Sequence, residues 1–121
     1  MVCSLDKVER IVIGTMLNDF GEDCFFSSCS MSLRKELFSD RRNAFIFDVI
    51  SRMNAEGLRS TTPYDVLSYV QTNKIRCGSV HNFVSYMTEL ACESYAFSSF
   101  REHVRTLVRF YSNRMRNNGA G

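Results

Sequence analysis

Four residues have the side chains and the spacing of a tetrahedral zinc site. Four residues separate Cys24 from Cys29, and three separate Cys77 from His81; both spacings occur among zinc ligands. A pair of phenylalanines follows Cys24 directly, however, so burial as small apolar groups explains the first two thiols equally well. The five cysteines cannot all pair within one chain, and a reducing compartment keeps thiols free. We therefore expect no bound metal and no cofactor.

Patterns typical of catalysis are missing from the sequence. It contains no Gly-x4-Gly-Lys-Ser/Thr phosphate loop, no Gly-x-Gly-x-x-Gly motif and no Gly-x-Ser-x-Gly elbow. His81 and His103 lie in helical segments with no nucleophile and acid spaced around them. The carboxylates are scattered, which is typical of solubility and helix capping rather than of a paired acid and base. We expect this chain not to be an enzyme.

Length and composition indicate one globular domain. The chain has 121 residues, of which 45% are hydrophobic and 23% charged. This is enough for one core and too little for a core domain plus a nucleotide-driven motor. No apolar run approaches the roughly 18 residues of a membrane helix, and the first apolar segment lacks a signal-peptide cleavage site. These features predict a single domain over residues 1–121 that is cytoplasmic and contacts no membrane.

Hydrophobic periodicity predicts a series of short helices and no sheet. The first helix contains Gly14 inside an apolar stripe. Glycine in a helix costs about 1 kcal/mol relative to alanine, so it usually marks a close packing contact or a kink. The stripe around it comprises Leu5, Val8, Val12 and Met16.

Capping signals place the two middle helices. Ser39 is a suitable cap for a helix that Gly57 would end. Thr62 precedes Pro63, and Asp65 follows three residues after Thr62, a near capping box for the next helix.

The remaining segments give weaker signals. Residues 21–28 favour a short helix, and residues 33–38 a turn. Gly78 and Ser79 would break the chain and cap a fifth helix. The buried face expected for that helix is Phe83, Val84, Met87, Leu90 and Ala91.

The last helix, predicted over residues 97–115, carries a narrow apolar seam typical of a helix that packs along another helix. We expect a compact part over about residues 5–94, the start of an association hairpin over about 95–116, and a flexible tail over 117–121. The seam, predicted to mediate self-association or partner binding, comprises Phe97, Phe100, Val104, Leu107 and Tyr111.

The opposite face of this helix is basic. Arg101, Arg105 and Arg109 lie four residues apart, and residues 95–121 carry a net charge of +4 within a chain whose total is +2. A solvated helix face explains this row, as does complementation of the helix dipole. Contact with an acidic partner protein or with DNA is the functional alternative.

Several motifs follow one another at the spacing of a known family. The chain shows Glu9, Ile13-Gly14, Met16-Leu17, Asp19, Phe38-Ser39-Asp40, Ile46-Phe47, Gly57, Tyr86 to Ala91 and Phe100 to Arg109. In this order they resemble the N-terminal domain of the DnaB-type replicative DNA helicases over about residues 5–112. The resemblance implies an all-α fold: a compact bundle of five to six short helices ending in a longer helix that begins a helical hairpin.

Four positions depart from the family pattern. Asn43 stands where the family has a histidine, and Thr61 where it has an aspartate. A Gly-Gly pair is reduced to Gly78, and an asparagine near the start of the last helix is Ala96. The chain therefore resembles a divergent member.

The resemblance implies a non-catalytic interaction and oligomerisation module of a helicase. Such a domain forms the collar of the hexameric ring and self-associates. It docks primase or a helicase loader within the primosome. Its link to DNA is indirect, through a motor domain that would follow residue 121. With the hairpin truncated, we expect a monomer or weak dimer rather than a hexamer. The alternative is a stand-alone helical adaptor, or a DNA-binding module that uses the basic face of the last helix.

Overall fold

The computed structural model describes residues 5–29, 31–76, 82–93 and 100–119. Among these residues no β-strand forms, and Phe20 and Ser60 make an isolated antiparallel bridge. The helices are α1 (Leu5–Met16), α2 (Phe25–Cys29), a 3-10 helix (Lys35–Leu37), α3 (Arg41–Ala55), α4 (Pro63–Thr72), α5 (Phe83–Glu93) and α6 (Phe100–Gly119). The all-α prediction is confirmed.

Helix α1 lies at the centre of the domain. It packs against α5 and α6, and also against α2 and α3. Gly14 is buried within it. Just past its end, the Asn18 side-chain amide donates to the Gly14 carbonyl at 2.8 Å and to the Ala91 carbonyl at 2.9 Å. One asparagine therefore closes α1 and fastens it to α5.

The cap at the start of α3 differs from the predicted one, whereas the glycine at its end is as predicted. Asp40, not Ser39, caps its first turn, because the Asp40 carboxylate accepts from the Arg42 N–H at 2.8 Å. Gly57 ends the helix as predicted, with φ +84°. Its N–H donates to the Asn54 carbonyl at 3.0 Å in a left-handed turn after the last helical residue.

The predicted capping box of α4 is present. The Asp65 N–H donates to Thr62 Oγ1 at 3.4 Å, and the Thr62 N–H donates to Asp65 Oδ2 at 3.2 Å. Pro63 occupies the first helical position, where its missing N–H leaves no hydrogen bond unmade.

The buried face of α5 differs from the predicted one at two residues. Phe83, Met87 and Leu90 are buried as expected, but Val84 is exposed and Tyr86 is buried instead. The tyrosine can turn inward because its hydroxyl finds a partner on α3. Ala91, the last member of the predicted face, is half-buried, and the break and cap expected at Gly78 and Ser79 lie outside the described residues.

Helix α6 begins in the core and leaves it. Its first part packs against α1, and the helix continues to Gly119, past the boundary expected at residue 116.

Helix α2 is shorter than the predicted 21–28 segment. Within the described parts of the chain, no helix combines the length and the apolar character needed to span a bilayer.

Candidate functional site

The predicted association seam on α6 is divided between core and surface. Phe100, Val104 and Leu107 are buried in the chain's own core, Leu107 with an exposure of 0%. Tyr111 is half-buried, and Met115, one turn further, is 53% exposed. Phe97 lies outside the described residues. The buried residues hold α6 against α1, so among the described members of the stripe the outer end is the part exposed to another chain.

The basic row on α6 faces solvent. Arg101, Arg105 and Arg109 are exposed, and none takes part in the ion pairs formed within the described parts of the chain. Arg114 behaves differently, because its guanidinium lies over the Tyr111 ring at 5.9 Å from the centroid. The side chains of Arg101, Arg105 and Arg109 therefore have no anionic partner among the described residues.

Two of these arginines meet residues from α2 and the segment after it. They line an open cleft of about 370 Å³, here called the α2–α6 cleft. Its walls are Ser28, Cys29, Ser32, Arg101, Val104 and Arg105. The sequence placed the arginines in one row but gave no signal that α2 lies beside them.

The Cys29 thiol in this cleft is a neutral hydrogen-bond donor. Burial raises its pKa to about 12. Its Sγ donates to the carbonyl oxygens of Phe25 at 3.4 Å and Phe26 at 3.5 Å. A raised pKa is the opposite of what a metal ligand or a nucleophile requires.

Of the remaining members of the possible zinc set, the structure describes Cys24 alone. Cys24 is half-buried with φ +54°, and Cys77 and His81 lie outside the described residues. Within the parts of the chain that the structure describes, no group of three or more His, Cys, Asp or Glu side chains could hold a metal ion.

The most polar buried site joins α1, α3 and α5. Glu9 has an exposure of 0%, and its carboxylate accepts from the Ser39 N–H at 2.9 Å and the Ser39 hydroxyl at 2.6 Å. It also accepts from the Asp40 N–H at 3.3 Å and the Asn43 amide at 3.0 Å. The Tyr86 hydroxyl in turn donates to Asn43 Oδ1 at 2.5 Å. We call these five residues the Glu9 network.

Arginines close the network from the surface. Arg42 lies 3.7 Å from the centroid of the Tyr86 ring and forms an ion pair with Asp40 at 2.8 Å. Its hydrogen bond lowers the pKa of the Asp40 carboxyl, while burial raises the pKa of Tyr86 to about 12. Arg10 lies 5.7 Å from the same ring and forms an ion pair with Glu93 at 2.7 Å. The two arginines therefore flank the Tyr86 side of the network, whereas Ser39 on its other side is exposed.

A second buried polar node closes the turn after α1. The Asp19 carboxylate accepts from the Gly21 N–H at 2.8 Å and the Phe25 N–H at 3.0 Å. Thr61 donates its N–H to the Asp19 carbonyl at 2.9 Å and its hydroxyl to the Met16 carbonyl at 2.6 Å. This node ties α1 to α2 and to the segment before α4.

The role of these buried polar groups is structural rather than catalytic. Across the described residues, no buried side-chain nitrogen or oxygen lacks a hydrogen-bond partner. Glu9 is completely buried, and its carboxylate is held by donors from Ser39, Asp40 and Asn43, as expected for a structural group. The spacing of residues along the chain does not predict the role of Glu9, because its partner Asn43 lies 34 positions later on another helix.

A further cleft lies between α3 and α4. It measures about 770 Å³ and includes Leu58, Arg59 and Tyr64 in its lining. The Tyr64 side chain is 77% exposed. This α3–α4 cleft brings an exposed apolar surface to the side of the domain on which α4 begins.

The architecture thus defines a helical module whose buried polar groups hold helices together. A family model for the DnaB-like helicase N terminal domain matches residues 4–109, and the chain belongs to that family. It is the non-catalytic N-terminal domain of the replicative helicase type. Searches of curated proteins and of solved structures returned no match. The family match ends before the exposed end of α6.

Proposed function

We propose that this chain is the protein-interaction and oligomerisation module of a replicative helicase, contributing to the collar of the ring and docking primase or a loader. Family membership supports a helicase context. The observation that supports the self-association part is the apolar stripe of α6, which continues past the point where the described residues bury it.

The exposure of the apolar side chains in this stripe rises gradually toward the end of α6. Leu107 is fully buried, Tyr111 is half-buried, and Met115 is 53% exposed. A helix of this length spans about 30 Å, longer than the part that α1 covers. Apolar side chains at such spacing are stabilised by a second helix.

The occupant that we propose is a second copy of this chain. The exposed end of α6 is continuous with the buried stripe, so two copies would extend each other's core through equivalent faces, as in a two-fold dimer. The exposed apolar area at this end is small, which favours a weak dimer over a stable hexamer for this chain alone.

Sedimentation equilibrium and light scattering across a concentration series test the proposal. We expect the mass to rise from monomer toward dimer, and Met115→Asp to weaken association at least about tenfold, because it places a charge in the apolar contact. Met31→Asp is the matched control. Met31 is 98% exposed and is not part of the apolar stripe of α6, so its substitution should leave the mass profile unchanged.

Two results would contradict self-association through this face: a monomer at every concentration, and a Met115→Asp profile identical to that of the parent chain. A hexamer stable at micromolar concentration would contradict the weak dimer expected for this chain alone.

Docking of primase or a loader needs its own experiment. We expect the domain to bind purified primase or helicase loader from the same organism in isothermal titration calorimetry. Binding should survive Met115→Asp if the partner surface is separate from the dimer face. A domain that is folded by circular dichroism and binds neither protein would contradict the docking proposal.

A further inference from the structure

We propose that the α2–α6 cleft binds the phosphate groups of single-stranded nucleic acid, through Arg101, Arg105 and the Ser32 hydroxyl. This proposal goes beyond the module's protein contacts and does not rest on them. The arginines that it concerns lie beside the stripe that ends at Met115 and are not part of it.

The first support is charge without a partner. Arg101 and Arg105 line the cleft, and neither forms an ion pair within the described parts of the chain. The lining contains no carboxylate. By contrast, Arg10, Arg42 and Arg52 each have an acidic partner within 3.3 Å. The cleft therefore combines two cations with no anion to neutralise them.

The second support is the geometry of the donors. Two guanidinium groups one helical turn apart offer forked N–H pairs, which fit the oxygens of a phosphate. Ser28 has its hydroxyl hydrogen engaged with the Phe25 carbonyl at 2.7 Å. Ser32 is exposed, and its hydroxyl makes no hydrogen bond to the described part of the chain, so it can donate to a ligand.

The third support is the neutral floor of the cleft. Cys29 keeps its proton, because burial raises the pKa of the thiol to about 12. Val104 beside it is apolar. Neither residue repels an anion, and neither offers a group that would react with one.

The row continues beyond the cleft, which favours a polyanion over a single small ion. Arg109 lies one turn past Arg105 and is also exposed. The three arginines thus extend over about 12 Å of the helix axis. A nucleic-acid strand presents regularly repeated phosphates to such a row.

Fluorescence anisotropy with a labelled oligothymidine tests the proposal on the full chain. We expect binding at low salt whose logarithm falls linearly with the logarithm of salt concentration. Arg101→Gln and Arg105→Gln should each weaken binding about tenfold, since each removes a charge-assisted hydrogen bond to phosphate. Each should also reduce the salt slope by about 0.7 if one phosphate contact is lost.

Arg59→Gln is the matched control for charge. Arg59 is exposed and lines the α3–α4 cleft, so its loss should change affinity less than about twofold if binding is local to the α2–α6 cleft. Ser32→Ala keeps the charge and should weaken binding about threefold, because only a neutral donor is removed. Glutamine retains high helix propensity, and circular dichroism confirms that each variant is folded.

Three outcomes overturn the proposal: no binding at low salt, equal losses for Arg59→Gln and Arg105→Gln, and competition by polyglutamate as strong as that by unlabelled oligothymidine. The last would assign the row to an acidic protein instead. The variants differ from those that test self-association, so failure of one proposal leaves the other separately decided.

Discussion

Asn43 donates a hydrogen bond from its side-chain amide to Glu9 Oε1 at 3.0 Å, and both side chains are completely buried. The contact crosses from α3 to α1, and the carbonyl end of Asn43 receives the Tyr86 hydroxyl from α5. One asparagine thus connects three helices, at the position where the family pattern has a histidine. The carboxylate remains acceptable inside the domain because it accepts four hydrogen bonds, from Ser39, Asp40 and Asn43.

Asn43→Leu should destabilise the domain by about 3 kcal/mol, because it leaves the Glu9 carboxylate and the Tyr86 hydroxyl short of a partner. Urea unfolding followed by circular dichroism measures the loss. Asn43→His is the informative comparison, since an imidazole can donate to one neighbour and accept from the other. We expect it to lose less stability than Asn43→Leu; a leucine variant as stable as the parent would contradict this account of the network.

Stability should decline at alkaline pH through Tyr86. Burial raises its pKa from the ordinary 10.0 to about 12, so the folded state holds its proton more tightly than the unfolded state does. This contribution is complete below about pH 10 and is lost as pH rises toward 12. The urea midpoint of unfolding should fall between about pH 10 and 12, more steeply for the parent chain than for a variant that lacks the Tyr86 hydroxyl.

Tyr86→Phe should be less stable at neutral pH, because Asn43 loses a donor, but should show a smaller alkaline decline. Tyr64→Phe serves as the control. The Tyr64 side chain is 77% exposed, so its substitution should leave the dependence of stability on pH unchanged. Parallel alkaline profiles for the parent and Tyr86→Phe would show that this tyrosine is not the titrating group.

Gly57→Ala should cost about 1 kcal/mol through backbone strain alone. Gly57 has φ +84°, and an added Cβ would meet no atom within 4 Å. Gly57→Asn should cost less, because asparagine tolerates the left-handed conformation better than alanine does. Thermal unfolding ranks the two variants, and equal losses would indicate a steric cause instead.

Leu107→Ala and Met115→Ala should separate the core part of α6 from its exposed end. The first leaves a cavity against α1 and should cost about 3 kcal/mol. The second removes a side chain that is 53% exposed and should change the stability of the monomer by less than about 0.5 kcal/mol. Chemical denaturation at low protein concentration makes the comparison, and similar losses would mean that both ends of the helix are packed alike.

Some features could be derived from the sequence because their causes are local. Gly57 ends α3, and the Thr62–Asp65 box starts α4, since each device works within a single turn. The all-α class follows from periodicity, and the family from the order and spacing of short motifs along most of the chain.

Tertiary structure decided what depends on residues far apart in the chain. Ser39 is a good cap by type, but Glu9, 30 positions earlier, takes its hydroxyl, and Asp40 caps α3 instead. Periodicity on α6 marks an apolar stripe without saying how far α1 covers it. The meeting of Arg105 with Ser32 likewise depends on how α2 and α6 pack, because burial and juxtaposition are properties of packed helices and not of any one of them.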